Sequence, residues 1–295
     1  MSQKPKISAI MTTYGHEKFI RQAIEGILIQ ECEFEVELII ANDCSPDRSD
    51  EIIKDILENH PNKSWIKYFR HEKNLGSMSN FLFALKECKG EFIALCEGDD
   101  YWTDPLKLQK QIDFLDENPD YVACFHKIEI LKTDGTIVKD FITNVPENHE
   151  TLEALAEFGN YIHTPSVVFK NNIIELPFEF KLTPIGDYFL YIMLAEHGKF
   201  KYIEEVMAVY RHGVGILSAD DSILKSKKWI DCLVLIISCC KNQEIKRILY
   251  KRYKISIEGL YRNTLKEKKE SFFQTIRKKA KKIKNRIMLQ ILNSK

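Results

Sequence analysis

Phe92-Ile93-Ala94-Leu95-Cys96-Glu97-Gly98-Asp99-Asp100-Tyr101-Trp102 is the stretch whose reading decides the fold. An apolar run of strand length ends in three carboxylates around a glycine, followed by two large aromatics and Thr103-Asp104-Pro105. Ligands of an open α/β sheet sit outside the carboxyl ends of its strands, so acids clustered there point to a metal or a metal-bound phosphate. Carboxylate oxygens favour hard cations such as Mg2+ or Mn2+, which bridge diphosphate oxygens. In an extended chain Glu97 and Asp99 share one side and Asp100 takes the other. A helix start accounts for part of the stretch, with Asp104 as the cap before Pro105, but Glu97 to Asp100 lie too far upstream for that.

Upstream the same design repeats. Ile7 to Met11 reads as a strand that runs into Thr12-Thr13-Tyr14-Gly15-His16, and a helix follows over about 17–29. Val36 to Ala41 ends in Asn42-Asp43-Cys44-Ser45-Pro46-Asp47, with a helix from Ser49 or Asp50 to His60. Ile66 to Phe69 is a shorter strand, followed by the polar loop Arg70 to Gly76 and a helix over Met78 to Cys88. This alternation predicts an α/β fold, a mostly parallel sheet flanked by helices on both faces. Tyr14 is placed to stack on a base. Asp43 is placed to accept a hydrogen bond from one, or simply to make the turn. Arg70, Lys73 and Asn74 meet phosphate or base, or form a solvated face. Neither G-x-G-x-x-G nor G-x-x-x-x-G-K-[ST] occurs, so dinucleotide and P-loop chemistry lack support.

Downstream the pattern predicts a helix over Pro105 to Glu117, a strand over Tyr121 to Leu131, a hairpin turn at Thr133-Asp134-Gly135-Thr136 and a polar loop over Lys139 to Glu150. It continues with a strand at Val167 to Phe169, a helix over Asp187 to His197 closed by Gly198, a strand over Tyr202 to Tyr210, and helical character from Asp220 to about Leu265.

The 295 residues carry 43 basic and 43 acidic side chains. From Lys266 onward bases outnumber acids by roughly five to one, leaving the body acidic. Eight cysteines without a C-x-x-C pairing, and no secretory leader, predict reduced thiols in a cytoplasm and argue against zinc. The longest apolar run, Trp229 to Cys240, is about a dozen residues where a spanning helix needs about 20, so no transmembrane segment is expected.

Four segments in order, Ser8 to Tyr14, Ile39 to Asp47, Asn74-Leu75-Gly76 and Cys96 to Trp102, resemble the motifs of the family 2 inverting glycosyltransferases, over roughly the first 215 residues. The resemblance implies a GT-A (Rossmann-like) fold and a nucleotide-sugar donor, a UDP-sugar in this reading. It implies that Thr12 and Tyr14 line the base pocket, that Asp43 holds the base, and that Asn74 belongs to the donor site. Asp99 and Asp100 would form the metal and diphosphate site with Mn2+ or Mg2+; Glu97 stands where many members have the first aspartate. Transfer with inversion also needs a base for the acceptor hydroxyl. Asp187, in Pro184-Ile185-Gly186-Asp187, matches the family's base position, although a first-turn acid of a helix would look the same. Tyr210 to Gly215 resembles a loop over the diphosphate, in which Arg211 touches phosphate and His212 the metal; it is one residue shorter here than in many members. His163-Thr164-Pro165-Ser166 resembles a stretch lining the acceptor site.

The expected organisation is a catalytic domain over 1–215, a helical C-terminal extension over 216–265 and a basic helix over 266–295. In that last segment Phe272, Ile276, Ala280, Ile283, Ile287 and Ile291 recur at steps of three and four between lysines and arginines. Such a basic amphipathic helix lies in an anionic membrane interface, docks on the acidic body or forms a nucleic-acid arm. Because family members commonly act on lipid-linked glycans at the cytoplasmic face, the membrane is the expected partner and nucleic acid is not. The functional expectation is transfer of a sugar to a glycan or lipid-linked acceptor in cell-surface polysaccharide, lipopolysaccharide or capsule synthesis. The alternative is a non-catalytic nucleotide-sugar-binding subunit of a membrane assembly.

Overall fold

A computed structural model describes residues 4–171, 175–215 and 221–266. The elements are β1 (Ile7–Thr13), α1 (Ile20–Leu28), β2 (Val36–Asn42), α2 (Ser49–Asn59), β3 (Ile66–Arg70), α3 (Ser77–Glu87), β4 (Phe92–Leu95) and β5 (Tyr101–Trp102). They continue with α4 (Lys107–Glu117), β6 (Tyr121–Leu131), β7 (Ile137–Lys139), α5 (Leu152–Phe158), β8 (Val168–Lys170), α6 (Gly186–Ala195), β9 (Lys199–Arg211), α7 (Ser222–Cys239) and a last helix, α8, over 243–266.

The strands form one sheet in the order β3-β2-β1-β4-β8-β6-β9-β5, with β7 paired to β6. β1, β2, β3 and β4 pair in parallel, as do β6 and β9, while β8, β5 and β7 run against their neighbours. Six strands thus share one direction in a mixed sheet. Alternation along the strands builds two cores. Ala9 and Met11 of β1, Leu38 and Ile40 of β2, and Ala94 of β4 face α1, α2 and α4. Ile10, Ile39, Ile93 and Leu95 face the other way, where α6 is apolar on nearly every side because the core surrounds it. α7 and the first turns of α8 insert Leu233, Ile236, Ile245 and Leu249 into that second core, so the helical extension is a layer of the same body.

Two short elements were not legible in the sequence. β5 is only Tyr101–Trp102 and owes its existence to pairing with Ala208 and Val209 of β9. α5, beyond the loop read as polar, is started by Thr151, whose hydroxyl accepts the Ala154 N–H at 3.1 Å. The segment expected to be a basic amphipathic helix lies, from residue 267 onward, outside the described residues. Among the described residues, no helix is long and apolar enough to cross a membrane, and the cysteines are free thiols.

Candidate active site

The acidic stretch leaves β4 at Leu95 and turns. The Asp100 N–H donates to the Glu97 carbonyl at 3.1 Å, closing a four-residue turn. The extended-chain expectation that Asp100 faces away from Glu97 and Asp99 therefore fails. Carboxylate oxygens of all three lie within 4.8 Å of one another. Gly98 makes the turn possible by close packing. Its N–H donates to the Thr12 carbonyl at 3.0 Å, and a Cβ there would sit 2.8 Å from His16 Nδ1 and 2.9 Å from Thr13 Oγ1. The ends of β1 and β4 thus lock together through the one residue without a side chain.

Asp99 and Asp100 are buried, while Glu97 opens to solvent in a cleft walled by protein. Desolvation, then the neighbouring charges of Asp99 and Asp187, push the Glu97 carboxyl up to about 8. Burial and Asp99 drive Asp100 up as well. Asp100 Oδ1 accepts the Arg211 N–H at 2.8 Å, whereas Oδ2 is buried with no hydrogen-bond partner among the described residues. Three crowded carboxylates with an orphaned oxygen are the donor set of a hard divalent cation, so the residues fit one.

Arg211 does not reach into the cleft. Its guanidinium lies between the rings of Phe19 (4.9 Å) and Tyr101 (4.6 Å), donates to the Asp99 carbonyl, and donates to Gln22 Oε1 at 2.5 Å. It holds the acidic turn from behind. His212 lies outside the carboxylate group; its N–H donates to the Leu131 carbonyl and its ring meets Phe141 edge-on at 5.6 Å.

Asp187 is in the first turn of α6, beyond the cap position. Asn160 Nδ2 donates to its Oδ2 at 2.9 Å, and the Tyr188 N–H to its Oδ1 at 2.7 Å, fixing the carboxylate plane. Burial raises its proton affinity against these bonds. Its charge contributes to raising the Glu97 carboxyl, so the isolated acid lies within electrostatic range of the acidic turn.

Tyr14 stands 47% exposed past β1, and Thr12 is half-buried on β1. Asp43 is buried at the end of β2, with both carboxylate oxygens taken by backbone N–H groups, Leu75 at 2.6 Å and Gly76 at 3.0 Å. The Asn74 amide donates to the Asp43 carbonyl at 3.3 Å. Asp43 thereby ties the Asn74-Leu75-Gly76 loop to the sheet, while the turn within Asn42 to Pro46 is closed by Asn42, whose Oδ1 accepts the Ser45 N–H at 2.8 Å. Gln22, His16 and Asn160 support the site and were not assigned from sequence; each acts through a partner distant in the chain, which no local pattern signals.

A mixed α/β sheet of this kind is the fold of the GT-A glycosyltransferases. The Glycosyl transferase family 2 model matches residues 8–174, and the chain belongs to that family. An uncharacterized protein of Mycobacterium tuberculosis is 36% identical over 211 residues, covering 71% of this chain and 60% of that one. The chain thus spans about 60% of the length of that relative. An uncharacterized glycosyltransferase of Methanocaldococcus jannaschii is 29% identical over 230 residues, 76% of each chain. Among solved structures, Staphylococcus aureus TarS in complex with UDP superposes with a TM-score of 0.60 at 20% identity, over 83% of this chain and 69% of that one. The mannosyltransferase PcManGT of Pyrobaculum calidifontis, in complex with GDP-Man and Mn2+, gives 0.61 at 15% identity, over 85% and 70%.

Proposed function

We propose that this chain is an inverting hexosyltransferase that moves a sugar from a nucleotide-diphosphate donor, a UDP-sugar, to a glycan or lipid-linked acceptor in cell-surface polymer synthesis. The observation that carries the reading is the close grouping of the Glu97, Asp99 and Asp100 carboxylates beyond β4, with Asp187 within electrostatic range of Glu97. Donor complexes of structural neighbours support it: TarS is solved with UDP-GlcNAc, and PcManGT with GDP-Man and Mn2+. A relative matched over 91% of this chain, 25% identical and covered over 31% of its own length, is the minor teichoic acid biosynthesis protein GgaB of Bacillus subtilis.

In this reading Thr12, Tyr14, Asp43 and Asn74 form the nucleoside end of the cleft. Asp99 and Asp100, with Glu97 beside them, hold Mn2+ or Mg2+, which when bound offsets the charge that develops on the leaving diphosphate. Asp187 takes the proton of the acceptor hydroxyl as that oxygen attacks the anomeric carbon from the face opposite the leaving group. Its raised proton affinity suits a base, and Asn160 and Tyr188 aim it.

Release of nucleoside diphosphate from a panel of nucleotide-sugars, with and without Mn2+, tests the reading. One donor is expected to be turned over, with metal dependence lost in Asp99→Asn. Asp187→Asn is expected to slow transfer by about a hundredfold to ten-thousandfold while UDP binding persists; wild-type turnover would remove Asp187 as the base. Donor binding with no product for any acceptor would instead favour the non-catalytic subunit. We further propose that the basic segment from Lys266 seats the enzyme on the anionic inner face of the plasma membrane. A chain ending at Thr264 is expected to lose co-sedimentation with anionic vesicles; retained binding would sink that assignment.

A further inference from the structure

α6 carries a second polar group into the core, one that the proposed chemistry does not use. Tyr191 is fully buried, and its hydroxyl has no hydrogen-bond partner among the described residues. Other tyrosines of the same core are satisfied. The Tyr188 hydroxyl donates to the Leu155 carbonyl at 3.0 Å, and the Tyr161 hydroxyl to the His149 carbonyl at 2.8 Å. A buried polar group left unpaired costs stability, and a phenylalanine would fill the same volume without that cost. The hydroxyl at position 191 therefore calls for a use outside the packing of the core.

The helix decides what that hydroxyl faces. Asp187 and Tyr191 are four residues apart on α6, neighbours on one side of it. Long side chains of a helix lean toward its N-terminus, so the phenol of Tyr191 is carried back over the first turn, where Asp187 sits. Thr164, in the 3-10 turn Thr164–Ser166, lies close enough to act on the same hydroxyl without closing a hydrogen bond. That turn leads into the end of β4, where the Leu95 N–H donates to the Val167 carbonyl at 3.3 Å. Burial, then the charges of Asp187 and Glu97, raise the proton affinity of the phenol, so it stays protonated and serves as a donor. A buried donor with two carboxylates and a second hydroxyl about it has the partners that an enclosed water takes, usually about three.

We propose that Tyr191 is a positioning residue for sugar transfer, its hydroxyl donating across one buried water to the carboxylate of Asp187. Asn160 and the Tyr188 N–H each occupy one oxygen of that carboxylate, and each oxygen has room for one more hydrogen bond. The added bond aims the carboxylate and favours its charged form, the form that accepts a proton. The role in transfer rests on the reading of Asp187 as the base; the bond itself does not.

A carbon-13 NMR titration of the full chain, labelled at the aspartate carboxyl carbons, tests the proposal without any substrate. The Asp187 signal is the one missing from Asp187→Asn. The titratable groups that act on Asp187 are His163, Glu97, Cys232 and Tyr191, and Tyr191→Phe removes only the last. That variant is expected to raise the Asp187 midpoint by about half a pH unit or more, roughly threefold in its acid constant. Tyr188→Phe, which removes a hydroxyl bonded to the Leu155 carbonyl instead, is expected to leave the midpoint in place. An unmoved midpoint in Tyr191→Phe, or an equal shift in Tyr188→Phe, would overturn the proposal. In transfer assays the acid limb of the kcat profile is expected to move with the midpoint while KM holds. A limb that stays put while the midpoint moves would count against Asp187 as the base and leave the bond standing.

Discussion

Lys107 shows at the residue scale how far a side chain's surroundings can depart from its local sequence. Position 107 opens α4 and reads as a surface lysine, yet it is fully buried, with its ammonium 4.0 Å from the Trp102 ring centroid and bonded to Gln111 Oε1 at 2.7 Å. Desolvation lowers its pKa to about 7, against the nearby thiols of Cys124, Cys96 and Cys32. The unfolded chain binds this proton up to about pH 10.4, so between about 7 and 10 the contribution of Lys107 to stability rises with pH. The buried thiols and Glu97, raised by burial, act in the opposite direction in the same window, so the test is a difference: in urea denaturation the stability of the wild type relative to Lys107→Met is expected to rise by a few kcal/mol from about pH 7 to about 10. A difference that does not change with pH would contradict the burial. Asp99 stood out in the sequence because acids clustered at a strand end have few local explanations, whereas Asp187 stood out only through the family resemblance, since a first-turn acid of a helix looks the same. The burial of Lys107 was not legible, since Trp102, Gln111 and three thiols must first be brought around it.

Between elements, the acidic turn is held by parts that come from both ends of the chain. α1 approaches β5 so closely that a Cβ on Gly26 would lie 2.8 Å from the Trp102 carbonyl oxygen. β9 then pairs with β5 and delivers Arg211 behind Asp99 and Asp100. The strand-helix alternation gave away β1 to β4, because fully buried parallel strands are continuous apolar runs. Two-residue β5 and the inward turn of Arg211 escaped it, because their partners are about a hundred positions away. Arg211→Met removes the charge and both guanidinium hydrogen bonds while keeping an apolar stem. It is expected to cost about 2–4 kcal/mol in a thermal melt and to weaken Mn2+ binding in calorimetry. Unchanged Mn2+ affinity would show that the turn stands without its backing.

For the whole molecule, the boundary expected after residue 215 is not an energetic one. Leu233, Ile236, Ile245 and Leu249 of α7 and α8 share a core with α6, β6 and β8. Burying four such side chains is worth roughly 6–12 kcal/mol, of the order of a domain's net stability. A chain ending at Gly215 is therefore expected to lose near-ultraviolet circular dichroism and to bind ANS; a cooperative melt would refute the shared core. Helical periodicity showed that helices follow residue 220, but not which core they complete, because one face of a helix fits any apolar surface. The pairing of Asp100 with Arg211 spans 111 positions and has a consequence during synthesis. At about 5–20 residues per second, a ribosome needs roughly 5–20 s to pass from one to the other. For that interval the emerging carboxylates have no cation behind them, and the acidic turn closes only once β9 has been made.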